Sequence, residues 1–195
     1  MYWIETFTGK VFDLENPTPE KITIMDIAHA LSMQCRFTGH CAEFYSVAQH
    51  SVLTSLRVPK DLRLAALMHD SAEAYVGDTS RPLKGLMTFM QGTPSVCSSP
   101  HLLSDLELIE WDILEAINKK FGVEEDSTGL VQDADLRMLM TERRDLFAIT
   151  TPPKDWEIDA EPYPETIRPW PSRSAKEMFL RSFYVLSKGD GNEQE

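Results

Sequence analysis

His69 and Asp70 are adjacent in the stretch Leu67-Met68-His69-Asp70-Ser71-Ala72-Glu73. An imidazole and a carboxylate side by side in an apolar helical run are a poor way to build a core. They are a good way to hold a hard or borderline divalent cation with two protein ligands. His50 lies upstream in Val47-Ala48-Gln49-His50-Ser51, and Asp135 lies downstream in Asp133-Ala134-Asp135-Leu136. Two His nitrogens and two carboxylate oxygens leave open positions on a metal that prefers five or six ligands. Water and a phosphoryl oxygen can occupy those positions. Taken singly, each residue reads as a surface or satisfied polar group; taken together, they read as a ligand set. Asp133 competes with Asp135 for the fourth place, and spacing alone does not separate them.

Glu73 follows His69 by four residues, so in a helical reading the two share one face. It would lie beside the attacking water without being a ligand, placed to take or relay a proton. Asp78, just past Gly77, is placed for the same task from the start of a loop. Arg36 offers a planar fork suited to phosphate oxygens, and Lys84 a second point charge. For both the plainer reading is a surface salt bridge, more so for Lys84. Phe37, Ile27 and Pro82 are candidates for walls around a base, although core packing is the simpler account of Ile27. His29 reads as a partly buried structural histidine, His40 as structural, His101 as a surface helix start, and Met138 and Met140 as core.

The elements that must position these residues are mostly helices. Residues 1–20 read as extended and turn-rich, with a strand pair around Ile4–Phe7 and Lys10–Phe12 about a Thr8-Gly9 turn. A first helix starts at Thr23 as cap, carrying Ile24, Ile27, Ala28 and Leu31 as its apolar stripe. After a break at Phe37-Thr38-Gly39, a second helix covers Tyr45–Leu56 and is ended by Pro59. A third runs from about Asp61 to Val76, with Gly77 as its stop. Residues 78–100 read as an irregular, functional loop because of Pro82, Gly85, Gly92, Pro94 and Pro100. Further helices span about Ser104–Phe121, Leu130–Phe147 and Ser174–Leu186. Between the last two, residues 151–172 hold six prolines and must wrap irregularly, and 189–195 read as a disordered tail. The expected fold is all-α: one domain over residues 1–188, with five to six main helices and a short hairpin or irregular N-terminus.

Size and composition fit that picture. A chain of 195 residues, 42% hydrophobic and 26% charged, is long enough for one domain with a real core. No apolar run approaches the roughly 20 residues that span a bilayer, so no membrane partner is expected. The N-terminus lacks the basic start and apolar stretch of a secretory signal. Three cysteines, Cys35, Cys41 and Cys97, show no CxxC spacing, which fits a reducing compartment; cytoplasm is the expectation. A net charge of −12 argues against nucleic acid as a partner, since phosphate neutralisation needs a basic face. It does not oppose a small phosphorylated substrate, because a bound cation reverses the local field. The acidic run Asp105, Glu107, Glu110, Asp112 and Glu115 reads as a solvated helix face.

Four stretches carry a family resemblance: Asp26–Ser32, Cys35-Arg36-Phe37-Thr38-Gly39-His40, Phe44–Ser51 and Met68–Glu73. With them, roughly Trp3 to Phe147 resembles the HD-domain metal-dependent phosphohydrolases of the 5′-deoxynucleotidase group, and more closely the phage dATP triphosphohydrolases. The resemblance implies an HD-type helical bundle whose metal ligands are His50, His69, Asp70 and Asp135, Asp135 being favoured over Asp133. It implies Glu73 and Asp78 as acid–base and water-positioning carboxylates and Arg36 as the phosphate-binding arginine. Bacterial deoxynucleotidases have tryptophan after that arginine, where this chain has Phe37. The implied activity is hydrolysis of 2′-deoxynucleotides, dATP first and dADP or dAMP with it, at the α-phosphate, releasing deoxyadenosine. A broad deoxynucleoside 5′-monophosphatase and a non-catalytic nucleotide-binding protein are the alternatives. The implied cofactor is Zn, Mn or Co, with Mg at substrate phosphates, and the implied assembly is a homo-oligomer in the cytoplasm, of the host if phage-encoded. A cyclic-dinucleotide activity of the HD-GYP type needs a Gly-Tyr-Pro motif, which is absent.

Overall fold

A computed structural model of the chain describes residues 2–90, 105–148, 156 and 158–188. The chain opens with a hairpin of β1 (Trp3–Glu5) and β2 (Val11–Asp13), antiparallel with Ile4 opposite Phe12. The turn lies where the Thr8-Gly9 signal put it, Gly9 taking a φ of 76°, and the strands sit about one residue from their expected places. Asp26 ties this hairpin down, accepting from the Thr8 backbone N–H at 2.7 Å and the Thr8 hydroxyl at 2.9 Å.

Among the described residues, everything after the hairpin is helical or irregular, in keeping with an all-α bundle. The helices are α1 (Ile24–Met33), α2 (Val47–Ser55), α3 (Arg63–Met68), α4 (Glu73–Val76), α5 (Arg81–Met90), α6 (Asp105–Phe121), α7 (Leu130–Leu146) and α8 (Ser172–Leu186). The α1 cap is the expected Thr23, whose hydroxyl accepts from the Asp26 N–H, and Ser46 caps α2 in the same way. One main core joins Phe12 of the hairpin to Ile27 and Leu31 of α1, Val47 and Val52 of α2, Leu67 of α3, Ile113 of α6 and Phe179 of α8. The closing helix α8 packs on α1, α2 and α3, so the C-terminal segment completes the core begun at the N-terminus. No helix among the described residues is long and apolar enough to cross a membrane.

Three expectations are corrected. The helix read as continuous from Asp61 to Val76 is split: a 3-10 turn at Lys60–Leu62 precedes α3, and turns at His69–Ala72 separate α3 from α4. Across that second break the backbone bonds close over three residues, Ser71 N–H to Met68 O at 3.0 Å and Glu73 N–H to Asp70 O at 3.1 Å. Such bonds make the segment 3-10-like, and His69, Asp70 and Glu73 still line one cavity. Residues 81–90, read as loop because of Pro82 and Gly85, form α5 instead. Proline at the second position of a helix gives up an N–H that has no partner there anyway. The last helix begins two residues before the expected start, directly after Pro171. The remainder of the expected loop (91–100), Cys97, His101 and the tail 189–195 lie outside the described residues.

Candidate functional site

Helix α2 is buried on nearly every side, which explains why His50 is fully buried in spite of its polarity. Its Nδ1 lies 2.6 Å from Glu142 Oε1, and the Nδ1 of His69 lies 2.8 Å from the Ala66 carbonyl oxygen. A carboxylate and a carbonyl only accept, so both Nδ1 atoms carry protons and donate. In the neutral rings this leaves two Nε2 lone pairs facing each other 3.3 Å apart. Asp135 Oδ1 joins them at 3.1 Å from His50 Nε2 and 3.9 Å from His69 Nε2. Asp70 Oδ2 approaches at 3.5 and 3.3 Å from the same two atoms.

Such a concentration of acceptors requires protons or a cation. Donors about 2.1 Å from one ion, at angles of about 90–109°, lie about 3.0–3.4 Å apart. Four of the five separations are 3.1–3.5 Å, and His69 to Asp135 is wider at 3.9 Å, so His50, His69 and Asp135 could hold a divalent cation, with Asp70 beside them. The rival Asp133 is exposed and lines a separate groove with Arg57, Arg137 and Tyr163. That groove, although larger at about 510 Å³, contains none of the converging side chains.

Without a metal, the electrostatics follow from the same contacts. Burial and Arg36 oppose charge on His50, yet Glu142 and Asp135 outweigh them and push it up to about 10. His69 is raised as well, burial being overcome by Asp70 and Asp135. Burial would raise Asp135 and Glu142, but the two imidazoles hold the first, and Arg36 with His50 the second, below the usual carboxylate range. Glu73 goes the other way: burial first, then Asp70 and Asp78, push it well above that range. Asp78 is also raised, burial outweighing the pull of Arg36. One carboxylate oxygen on each of Glu73 and Asp78 is buried with no hydrogen-bond partner, as expected of acids that keep a proton or await a ligand.

Gln34 holds these two acids in place. Its amide donates to the Glu73 carbonyl at 2.9 Å and accepts from the Asp78 N–H at 3.0 Å. A cavity of about 200 Å³ opens over the site, lined by His69, Asp70, Glu73, Lys84, Glu110 and Trp111 among others. Within the described residues it is smaller than the roughly 300–1,000 Å³ of typical small-molecule sites.

The remaining sequence candidates divide. Arg36 reaches the site, its Nη1 lying 3.5 Å from Asp70 Oδ2. Its Nε and Nη2 are each 3.1 Å from Glu142 Oε2, so the fork read as suited to phosphate oxygens is largely occupied, by a buried rather than a surface ion pair. Phe37 lies under the guanidinium, 5.3 Å from ring centroid to Cζ, and packs edge-on against Phe147. Phe37 and Thr38 both have positive φ, at 57° and 54°. For non-glycine residues, and above all β-branched Thr38, that backbone is strained, and such strain clusters at functional sites. Lys84 lines the cavity but its Nζ is bound to Glu110 at 2.6 Å. Ile27 is fully buried in the main core and cannot be a pocket wall; Pro82 is exposed on α5. His29 stacks on Phe7 at 3.7 Å, a structural role as expected, and His40 is exposed.

Two residues of the site were missed, Glu142 and Gln34. Glu142 follows Asp135 by seven residues, two helical turns, and so shares its face of α7. That spacing was the available signal.

No family model matches the chain. Over 146 residues it is 43% identical to "Uncharacterized protein YfdR" of Escherichia coli strain K12, a match covering 75% of this chain and 73% of that protein. Over 91 residues it is 38% identical to "Uncharacterized protein RCAP_rcc00048" of Rhodobacter capsulatus, covering 42% of this chain and 46% of that one.

Proposed function

The chain belongs to the family of YfdR, and we propose that it is a metal-dependent phosphohydrolase of the HD-domain type that acts on 2′-deoxynucleotides, dATP first. The observation that carries this reading is the convergence of His50, His69 and Asp135 next to Asp70, with two acids alongside that each bury one unpartnered oxygen. A cation of the Zn, Mn or Co kind, with Mg on the substrate phosphates, would supply Lewis acidity at phosphorus and a more acidic water.

The side chains have separate tasks. Glu73 handles the proton of the attacking water: burial and two neighbouring carboxylates raise its proton affinity, which suits a group that must both hold and release a proton. Asp78, fixed by Gln34, positions that water. Arg36 presents Nη1 to a phosphate oxygen, and Phe37 closes the space beside C2′ of the sugar. Attack at the α-phosphorus breaks the bond to O5′. Deoxyadenosine then leaves, with triphosphate from dATP, diphosphate from dADP or phosphate from dAMP as the other product.

The test is a panel of ribo- and deoxynucleotides, as mono- and triphosphates, with Mn²⁺, Co²⁺, Zn²⁺ and Mg²⁺ in turn, read as nucleoside and phosphate species released. The expected outcome is hydrolysis of dATP to deoxyadenosine and slow turnover of ATP. Equal rates on ATP and dATP would remove the deoxynucleotide assignment. Hydrolysis confined to monophosphates would turn the reading to a deoxynucleoside 5′-monophosphatase. Nucleotide binding without turnover under every metal would leave a binding protein.

A further inference from the structure

We propose that Glu142 is a positioning residue that couples the metal site to the phosphate-binding arm, so that cation and oxyanion each strengthen the binding of the other. The inference rests on the metal-and-phosphate reading above and adds a regulatory link inside that site. Glu142 is fully buried. One of its oxygens, Oε1, takes the Nδ1 proton of His50 at 2.6 Å. The other, Oε2, takes Nε and Nη2 of Arg36, each at 3.1 Å. One carboxylate thus serves the buried metal ligand with one oxygen and the phosphate arm with the other.

The plainer account is a structural ion pair. Against it stands the cost of burying a carboxylate and a guanidinium, which an apolar pair of similar volume avoids, often with equal or better stability. The pattern of the bonds also has a direction. Glu142 occupies Nε and Nη2, so the remaining edge of Arg36, Nη1, is directed to Asp70 Oδ2, which it meets at 3.5 Å at the rim of the metal group. On the other side, an Nδ1–H···carboxylate bond fixes the His50 tautomer and turns Nε2 toward the metal, the arrangement that makes an imidazole a better ligand. A cation held at Nε2 would draw electron density from the ring and so strengthen the Nδ1–H bond that His50 donates to Glu142. This holds the carboxylate, and with it Arg36, in the orientation an oxyanion needs. Linkage makes the effect reciprocal: whatever phosphate gains from the metal, the metal gains from phosphate.

The experiment titrates the full chain with Co²⁺, followed by its visible absorption, with and without inorganic phosphate, and checks each variant by circular dichroism. In the wild type, phosphate should tighten Co²⁺ binding by about 5–150-fold. Glu142→Gln should weaken Co²⁺ alone by about 10–100-fold and bring the phosphate effect close to 1; Glu142→Asp, which keeps the charge, should restore part of both. Arg36→Lys should bind Co²⁺ alone within about twofold of wild type yet lose the phosphate effect, because an ammonium lacks the fork that Glu142 grips. If Glu142→Gln fails to fold, Arg36→Lys alone decides: an intact phosphate effect there overturns the proposal. Wild-type behaviour of a folded Glu142→Gln overturns it too, leaving a structural ion pair. A wild type that binds Co²⁺ with no phosphate effect overturns the coupling while the metal reading stands. A wild type that binds no Co²⁺ removes both.

Discussion

At the scale of single residues, the converging set makes sharp demands. Asp135→Ala should abolish most Co²⁺ binding measured by equilibrium dialysis, whereas Asp133→Ala, altered on the separate groove, should bind like wild type; the reverse pattern would refute the assignment of the ligand. Glu73→Gln should keep the metal and lose about 10²–10⁴-fold in turnover. A near-wild-type kcat in that variant would pass the proton role to Asp78. Phe37→Ala should narrow the dATP-to-ATP ratio in kcat/KM, since a hydroxyl stranded without water costs roughly 1–3 kcal/mol. The converging residues were legible because His and Asp in an apolar helical run have little structural use. Glu142 was not, because a buried acid on a helix looks in sequence like the many exposed acids of this chain. Arg36 was found, but not the fact that Glu142 already holds most of its fork.

At the scale of elements, the least replaceable backbone position near the site is Gly77. It ends α4 with φ 88° and ψ 155°, a conformation essentially confined to glycine, and it delivers Asp78 to Gln34. Gly77→Ala should cost about 1–3 kcal/mol in chemical denaturation and reduce turnover more than metal binding. An unchanged unfolding midpoint would show that the turn relaxes freely. Helix limits were readable where capping chemistry fixes them, as at Thr23 and Ser46. They were misread in two places for opposite reasons. Pro82 and Gly85 suggested loop, yet a first-turn proline is compatible with a helix. The apolar run through His69 suggested unbroken helix, yet its hydrogen bonds there close over three residues. No propensity of the residues involved marks that change of period.

At the scale of the whole molecule, the buried charges make stability depend on pH and on metal together. In the metal-free protein His50 is held up at about 10 against an ordinary 6.5. Its contribution is therefore whole below 6.5 and fades as pH climbs toward 10. Asp135 and Glu142 are held low, so theirs is present above the ordinary carboxylate range and lost as pH falls. The melting temperature without metal should peak on the acid side of neutrality and decline into alkali. Saturating Co²⁺ should reverse the alkaline decline by taking the place of the His50 proton, adding about 2.7 kcal/mol at a hundred times its Kd. A metal-free melting temperature that rises steadily from pH 7 to 10 would contradict this account.

The wide sequence separation of Arg36 and Glu142 also has a consequence in time. The two lie 106 residues apart, so during synthesis at about 5–20 residues per second the arginine emerges from the ribosome roughly 5–21 s before its partner does. Until α7 emerges, His50 also lacks the carboxylate that orients it, and the His50–His69 pair lacks Asp135. If the finished protein binds metal as proposed, the nascent chain would be the weaker chelator during those seconds. The last strut to arrive is the one that turns a loose cluster of ligands into a defined site.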